Sequence, residues 1–248
     1  MSLGALLVIH GSLVADGCVP LLDQPALRDR VRPIVYHRRG YDGVACSDFG
    51  IEAQAEDAVL ALRASGLPRA HVLGHSSGAS IALQLAVAHP GAVRSLILVE
   101  PAIVGAVAAA GEVAAALSGI LPRYAEGRHA EAVEALLSYC NPGGYREALE
   151  GRLAPGWFER AVASSAVYFE GELPALAAWS VTRDAAARIT VPTLLVCGAD
   201  SPPVFHQTQA LLAAWLPCAR TVTIPGAGHQ VPTAAPEALA EAIVSFLT

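Results

Sequence analysis

The chain has 248 residues, 54% of them hydrophobic and 15% charged, with a formal net charge of −6. This excludes a disordered chain and leaves material for one substantial domain with a large core. The acidic balance, with no basic run longer than Arg38-Arg39, argues against nucleic-acid binding, which needs a basic field.

Short apolar runs alternate with helical periodicity, the pattern of a parallel α/β sheet. Leu3–Ile9 reads as a buried strand ending at His10-Gly11-Ser12, and Val31–Tyr36 as a second. Glu52–Ser65 has the spacing of an amphipathic helix closed by Gly66. Ala70–Leu73 is a third strand running into Gly74-His75-Ser76-Ser77-Gly78; a helix over Ala79–His89 follows, stopped by Pro90-Gly91. Val93–Val99 is a fourth strand, ending at Glu100-Pro101.

From residue 102 to 189 the chain is Ala-rich and helical in spacing, without strands. Gly and Pro are expected to break it at Leu121-Pro122, Asn141-Pro142-Gly143-Gly144, Pro155-Gly156 and Leu173-Pro174. The strand rhythm resumes at Thr193–Cys197. A helix near Phe205–Leu216, a strand at Thr221–Ile224 and a helix at Pro236–Phe246 complete it. The expected organisation is a core of residues 1–101 and 190–248, with 102–189 inserted as a helical cap or lid. Its aromatic residues Trp157, Phe158, Tyr168, Phe169 and Trp179 are candidates to face an apolar substrate.

The five cysteines are scattered, with no CxxC pair, so no metal site is expected. Their odd number suggests free thiols in a reducing compartment. Residues 3–9 are apolar, but no basic stretch precedes them, and the run is too short for a signal peptide or a membrane span. A cytoplasmic protein without a membrane partner is expected.

Gly74-His75-Ser76-Ser77-Gly78 fits G-x-S-x-G between a strand and a helix, the context a nucleophile elbow requires. Side chains at the two glycines would obstruct so sharp a turn. The turn would lift Ser76 above the sheet edge at a helix N-terminus, where partial positive charge favours a developing anion. His229, in the Gly-rich loop after the last strand, reaches the same edge and is the candidate base. The candidate oxyanion donors are the backbone N–H groups of Ser77, next to the nucleophile, and Ser12, after the first strand.

These residues resemble the α/β-hydrolase fold superfamily over nearly the whole chain. The matching landmarks are His10-Gly11, Tyr36-His37-Arg38-Arg39-Gly40-Tyr41, the elbow, Leu98-Val99-Glu100-Pro101, Cys197-Gly198-Ala199-Asp200 and Gly226-Ala227-Gly228-His229. The resemblance implies a mostly parallel sheet flanked by helices and a Ser-His-acid triad, with no metal or organic cofactor. Members of the superfamily act as esterases, lipases, lactonases, thioesterases, carbon–carbon bond hydrolases, perhydrolases and dehalogenases. Dehalogenases use Asp where this chain has Ser76.

Two departures stand out. Family members usually carry a β-hairpin before the His-Gly strand, but only nine residues precede His10. A six-stranded sheet is therefore expected, with the Val31–Tyr36 strand near an unprotected edge that invites a homodimer. The usual acid lies three residues after the glycine of the Gly198 turn, where this chain has Ser201 and places Asp200 one residue early. Pro202-Pro203 leave Asp200 little slack, whereas Glu100 ends its strand and has an extra methylene of reach. Glu100 is preferred to Asp200 as the acid.

The expected function is hydrolysis of an ester, lactone or thioester of a small to medium apolar molecule. Carbon–carbon cleavage, perhydrolysis and acyl transfer would use the same site. A non-catalytic binding protein on this scaffold would be expected to lack Ser76 or His229, and both are intact.

Overall fold

The structure is a computed structural model describing residues 2–248. Six parallel strands form one sheet: β1 (Gly4–Ile9), β2 (Val31–Val35), β3 (Ala70–His75), β4 (Val93–Val99), β5 (Thr193–Gly198) and β6 (Ala219–Ile224). Their order is β2-β1-β3-β4-β5-β6, so β2 is an edge strand and the chain reverses direction of growth between β1 and β3. Parallel strands need crossovers, which cover both faces and make the strands apolar throughout. Residues alternate between faces at period two. Leu7, Ile9, Leu96 and Leu98 pack with helices α1 (Ile51–Ala64) and α2 (Ser77–Ala88). Leu6, Val8, Ile97 and Val99 pack on the opposite face with Leu21, Leu27, Leu239 and Ile243.

Residues between β4 and β5 supply helices only, chiefly α3 (Ala110–Ala125), α4 (His129–Cys140), α5 (Trp157–Ala163) and α6 (Leu173–Ala178), with a π-helical turn at Val167–Glu172. They share an apolar cluster that includes Ile120, Leu137, Trp157 and Phe169, and Leu13 and Val14 from the loop after β1 join it. The helix α7 (Pro203–Trp215) follows β5, and α8 (Pro236–Leu247) closes the chain.

Two expected breaks are absent. At Leu173-Pro174 the π-helical turn passes directly into α6 with helical backbone on both sides. Helix α3 runs through Leu121-Pro122 to Ala125. Proline removes one helical hydrogen bond, the one to the carbonyl four residues back. Ser118 and Pro122 are both exposed, so that carbonyl is open to water. The helix keeps its grip through buried Ile120. Among the described residues no helix is long and apolar enough to cross a membrane.

Candidate active site

The carboxyl ends of β1, β3, β4 and β5 meet the loop after β6, and the chemically distinctive residues gather there. Ser76 sits between β3 and α2 with φ 55° and ψ −122°, a conformation L residues rarely adopt. The packing around it enforces that geometry. A Cβ on Gly74 would lie 2.3 Å from the Gly78 carbonyl oxygen, and one on Gly78 would lie 2.2 Å from the Ile9 oxygen. Helix α2 can therefore cross β1 and β3 only with glycine at both positions.

His229 Nε2 lies 2.9 Å from Ser76 Oγ, and its Nδ1 lies 2.6 Å from Glu100 Oε2. A carboxylate only accepts, so Nδ1 carries the proton and Nε2 is free to accept from the serine hydroxyl. The other oxygen of Glu100 accepts from the Gly198 N–H at 2.6 Å and the Ser201 hydroxyl at 2.5 Å. Glu100 is 1% exposed and has φ 49°. Burial alone would raise its pKa. The hydrogen bond and charge of His229, with the Ser201 and Gly198 donors, outweigh burial and hold the carboxyl below its ordinary value. Asp200 is exposed, and its backbone N–H bonds the Ala227 oxygen at 2.9 Å. The geometry thus puts Glu100, not Asp200, on the imidazole.

Two further histidines frame the site. His75 Nε2 donates to the His229 carbonyl at 2.8 Å, and burial, reinforced by the charge of His229, lowers its pKa to about 3. The His10 ring is buried; its Nδ1 donates to the Gly11 oxygen and its Nε2 accepts from the Arg38 N–H. Burial and then the Arg38 charge push it well below the ordinary histidine range. Burial favours the neutral form of both rings, and each hydrogen-bonds backbone beside the site.

Ser12 and Ser77 stand side by side, their hydroxyl oxygens 2.9 Å apart. Ser12, Ser76 and His229 open onto a cavity of about 290 Å³, otherwise lined mainly by apolar side chains such as Leu117, Leu136, Leu173, Leu176 and Val204. Of the five aromatic candidates, Tyr168 and Trp179 line it. Trp157, Phe158 and Phe169 instead pack within the helical segment. Sequence reasoning missed Tyr139 and Phe205, which also line the cavity. Phe205 stacks on His229 with ring centroids 4.1 Å apart and an interplanar angle of 22°. Its place in the first turn of the helix after β5, beside the histidine loop, was the available signal.

The family model for the alpha/beta hydrolase fold matches residues 4–232. The chain belongs to the α/β-hydrolase family. RutD of Klebsiella pneumoniae (strain 342), named as a candidate carbamate hydrolase, is 30% identical over 234 residues, covering 90% of this chain and 84% of that protein. An alpha/beta hydrolase of Sphaerobacter thermophilus aligns with a TM-score of 0.72 at 25% identity, over 99% of this chain and 93% of that one. Naproxen esterase of Bacillus subtilis has the same fold, with a TM-score of 0.74 at 18% identity over 99% and 84%. This α/β-hydrolase is therefore an enzyme, a hydrolase. Ser201, three residues after Gly198 where the family usually has an acid, hydrogen-bonds the Glu100 carboxylate.

Proposed function

We propose that this hydrolase cleaves an ester, thioester or lactone of a small to medium apolar molecule, with Ser76 as nucleophile, His229 as base and Glu100 as acid. The observation that carries this reading is the continuous hydrogen-bonded chain Ser76–His229–Glu100 at the mouth of an apolar cavity. In the first half-reaction Ser76 Oγ attacks the carbonyl carbon as His229 Nε2 takes its proton. The imidazolium formed is stabilised by Glu100, and the oxyanion is held by the backbone N–H groups of Ser12 and Ser77. His229 returns the proton to the leaving alkoxide or thiolate, leaving an acyl group on Ser76. Water then repeats the sequence and releases the acid.

The cavity favours an acyl or alkoxy group of a few carbons, without a charge. Residues 102–189 serve as the cap that closes over it. Carbamates contain a carbonyl open to the same attack, and a relative's name points to them, so they belong in the test. The test is a chain-length series of chromogenic esters beside a thioester, a lactone, a carbamate and a vinylogous diketone. Highest kcat/KM for short to medium neutral esters is expected. Turnover of the diketone or the carbamate alone would replace this reading.

A further inference from the structure

Arg38 is a fully buried charge: its side chain is 1% exposed, and so is that of its ion-pair partner Glu172, at 2.5 Å. Burying such a pair is costly unless its remaining donors are used, and all but Arg38 Nε find a partner. Arg38 Nη1 donates to Gln54 Oε1 at 2.7 Å, and Nη2 donates to Ser77 Oγ at 3.2 Å. Glu172 accepts from the Tyr41 hydroxyl at 2.9 Å, and that hydroxyl in turn accepts from the Leu13 N–H at 2.8 Å. The network therefore grips the turn after β1 from two sides, next to Ser12.

Chemistry fixes the direction of its first bond, and the bond between Ser77 and Ser12 takes its direction from the inference. A guanidinium can only donate, so Ser77 Oγ accepts from Arg38. The Ser77 hydroxyl proton is then available for Ser12 Oγ, 2.9 Å away. With one lone pair so occupied, the Ser12 hydroxyl has its own proton to give, and Ser12 lines the cavity beside Ser76. We infer that the Ser12 hydroxyl is a third donor to the oxyanion, added to the two backbone N–H groups, and that Arg38 orients it through Ser77. Ser12 is then a catalytic residue, while Ser77 Oγ, Arg38 and Glu172 are positioning residues acting through it. Glu172 belongs to the helical segment, so that segment helps to set the oxyanion site as well as to cover it. No proton changes owner in this relay; each hydrogen bond is strengthened by the one before it.

The inference rests on Ser76 being the nucleophile, and the experiment separates the two. Phosphonate labelling of Ser76, read by intact mass, tests the nucleophile in each variant. Steady-state kinetics and affinity for a trifluoromethyl ketone, which forms a charged tetrahedral adduct, test the relay. Ser12→Ala should lower kcat on the order of 10²-fold with KM within about threefold, and weaken the ketone in proportion. Ser77→Ala should lower kcat by about tenfold, and the double variant should be no worse than Ser12→Ala alone, as members of one chain behave. Arg38→Met combined with Glu172→Gln avoids stranding a buried charge and should match Ser77→Ala. Ser12→Ala that keeps kcat within about threefold while Ser76 is still labelled would overturn the relay alone. Losses at Ser12 and Ser77 that multiply would overturn the ordering of the chain. Failure to label Ser76 in the wild type would overturn the triad reading and the relay with it.

Discussion

Ser201 donates a 2.5 Å hydrogen bond to Glu100, from the sequence position where α/β-hydrolases usually place their catalytic acid. In the proposed triad the carboxylate comes from the end of the neighbouring strand β4, and the Ser201 hydroxyl hydrogen-bonds it. Glu100 has φ 49°, and its carboxylate bonds Gly198 at the end of β5 and His229 in the loop after β6.

Glu100→Gln should therefore lose on the order of 10³-fold or more in kcat, because an amide no longer fixes the imidazole tautomer. Ser201→Ala removes one donor of three and should cost about tenfold. Asp200→Asn should stay within about twofold, as befits an exposed carboxylate. Steady-state kinetics with circular dichroism as a folding control check all three. A large loss in Asp200→Asn alone would move the acid to Asp200.

Acid should destabilise the fold through its neutral histidines. His75 is held to a pKa of about 3 by burial, whereas in the unfolded chain it titrates near the ordinary histidine value. Its folded pKa is depressed, so its neutral form contributes fully above the unfolded pKa. Below about pH 6.5 the unfolded state binds the proton first, and stability falls by about 1.4 kcal/mol per pH unit until pH 3 is approached. His10, also pushed well down, adds to this slope in the same direction below its unfolded pKa. Glu100 acts lower: held below its ordinary value, it contributes above that value, and the contribution is lost as pH falls through the folded pKa. Urea unfolding from pH 7 to 4 measures the slope, and His75→Gln should flatten it by about one proton's worth. An unchanged slope would mean that His75 is not buried in its neutral form.

The cavity predicts a size limit. Leu117, on α3, lines it and is only partly buried, so Leu117→Trp can fill space without disturbing the sheet. Turnover of long-chain esters should fall by at least about tenfold while acetate esters keep most of theirs. A uniform loss along the series would place the acyl group elsewhere.

The helical segment is unevenly anchored. Its Glu172 is tied to Arg38 and Tyr41, whereas α3 buries only Ile120. Amide hydrogens of α3 should exchange much faster than those of β3 and β4, and a covalent inhibitor on Ser76 should slow them. Equal protection with and without inhibitor would argue against closure of this segment.

The sheet was legible in the sequence because its strands are continuous apolar runs punctuated by glycine, and the six strands and the edge position of β2 are as expected. The elbow was legible because Gly74 and Gly78 can be nothing else at those contacts. Helix α3 passed through Pro122 because proline's local penalty was outweighed by the rest of the helix. The division of aromatics was hidden for a related reason: Trp157 and Tyr168 share composition and helical context, and only the packing decides that one fills the segment's interior and the other the cavity. The Arg38–Glu172 pair spans 134 positions of sequence with no local pattern, so only the folded chain reveals it.

The central claim, that Ser76 is the nucleophile, is tested most directly by incubating the protein with a fluorophosphonate and measuring intact mass. The wild type should gain one adduct per chain, mapped to Ser76 by peptide sequencing, and Ser76→Ala should gain none. An unlabelled wild type that still turns over esters, or labelling that persists in Ser76→Ala, would contradict it.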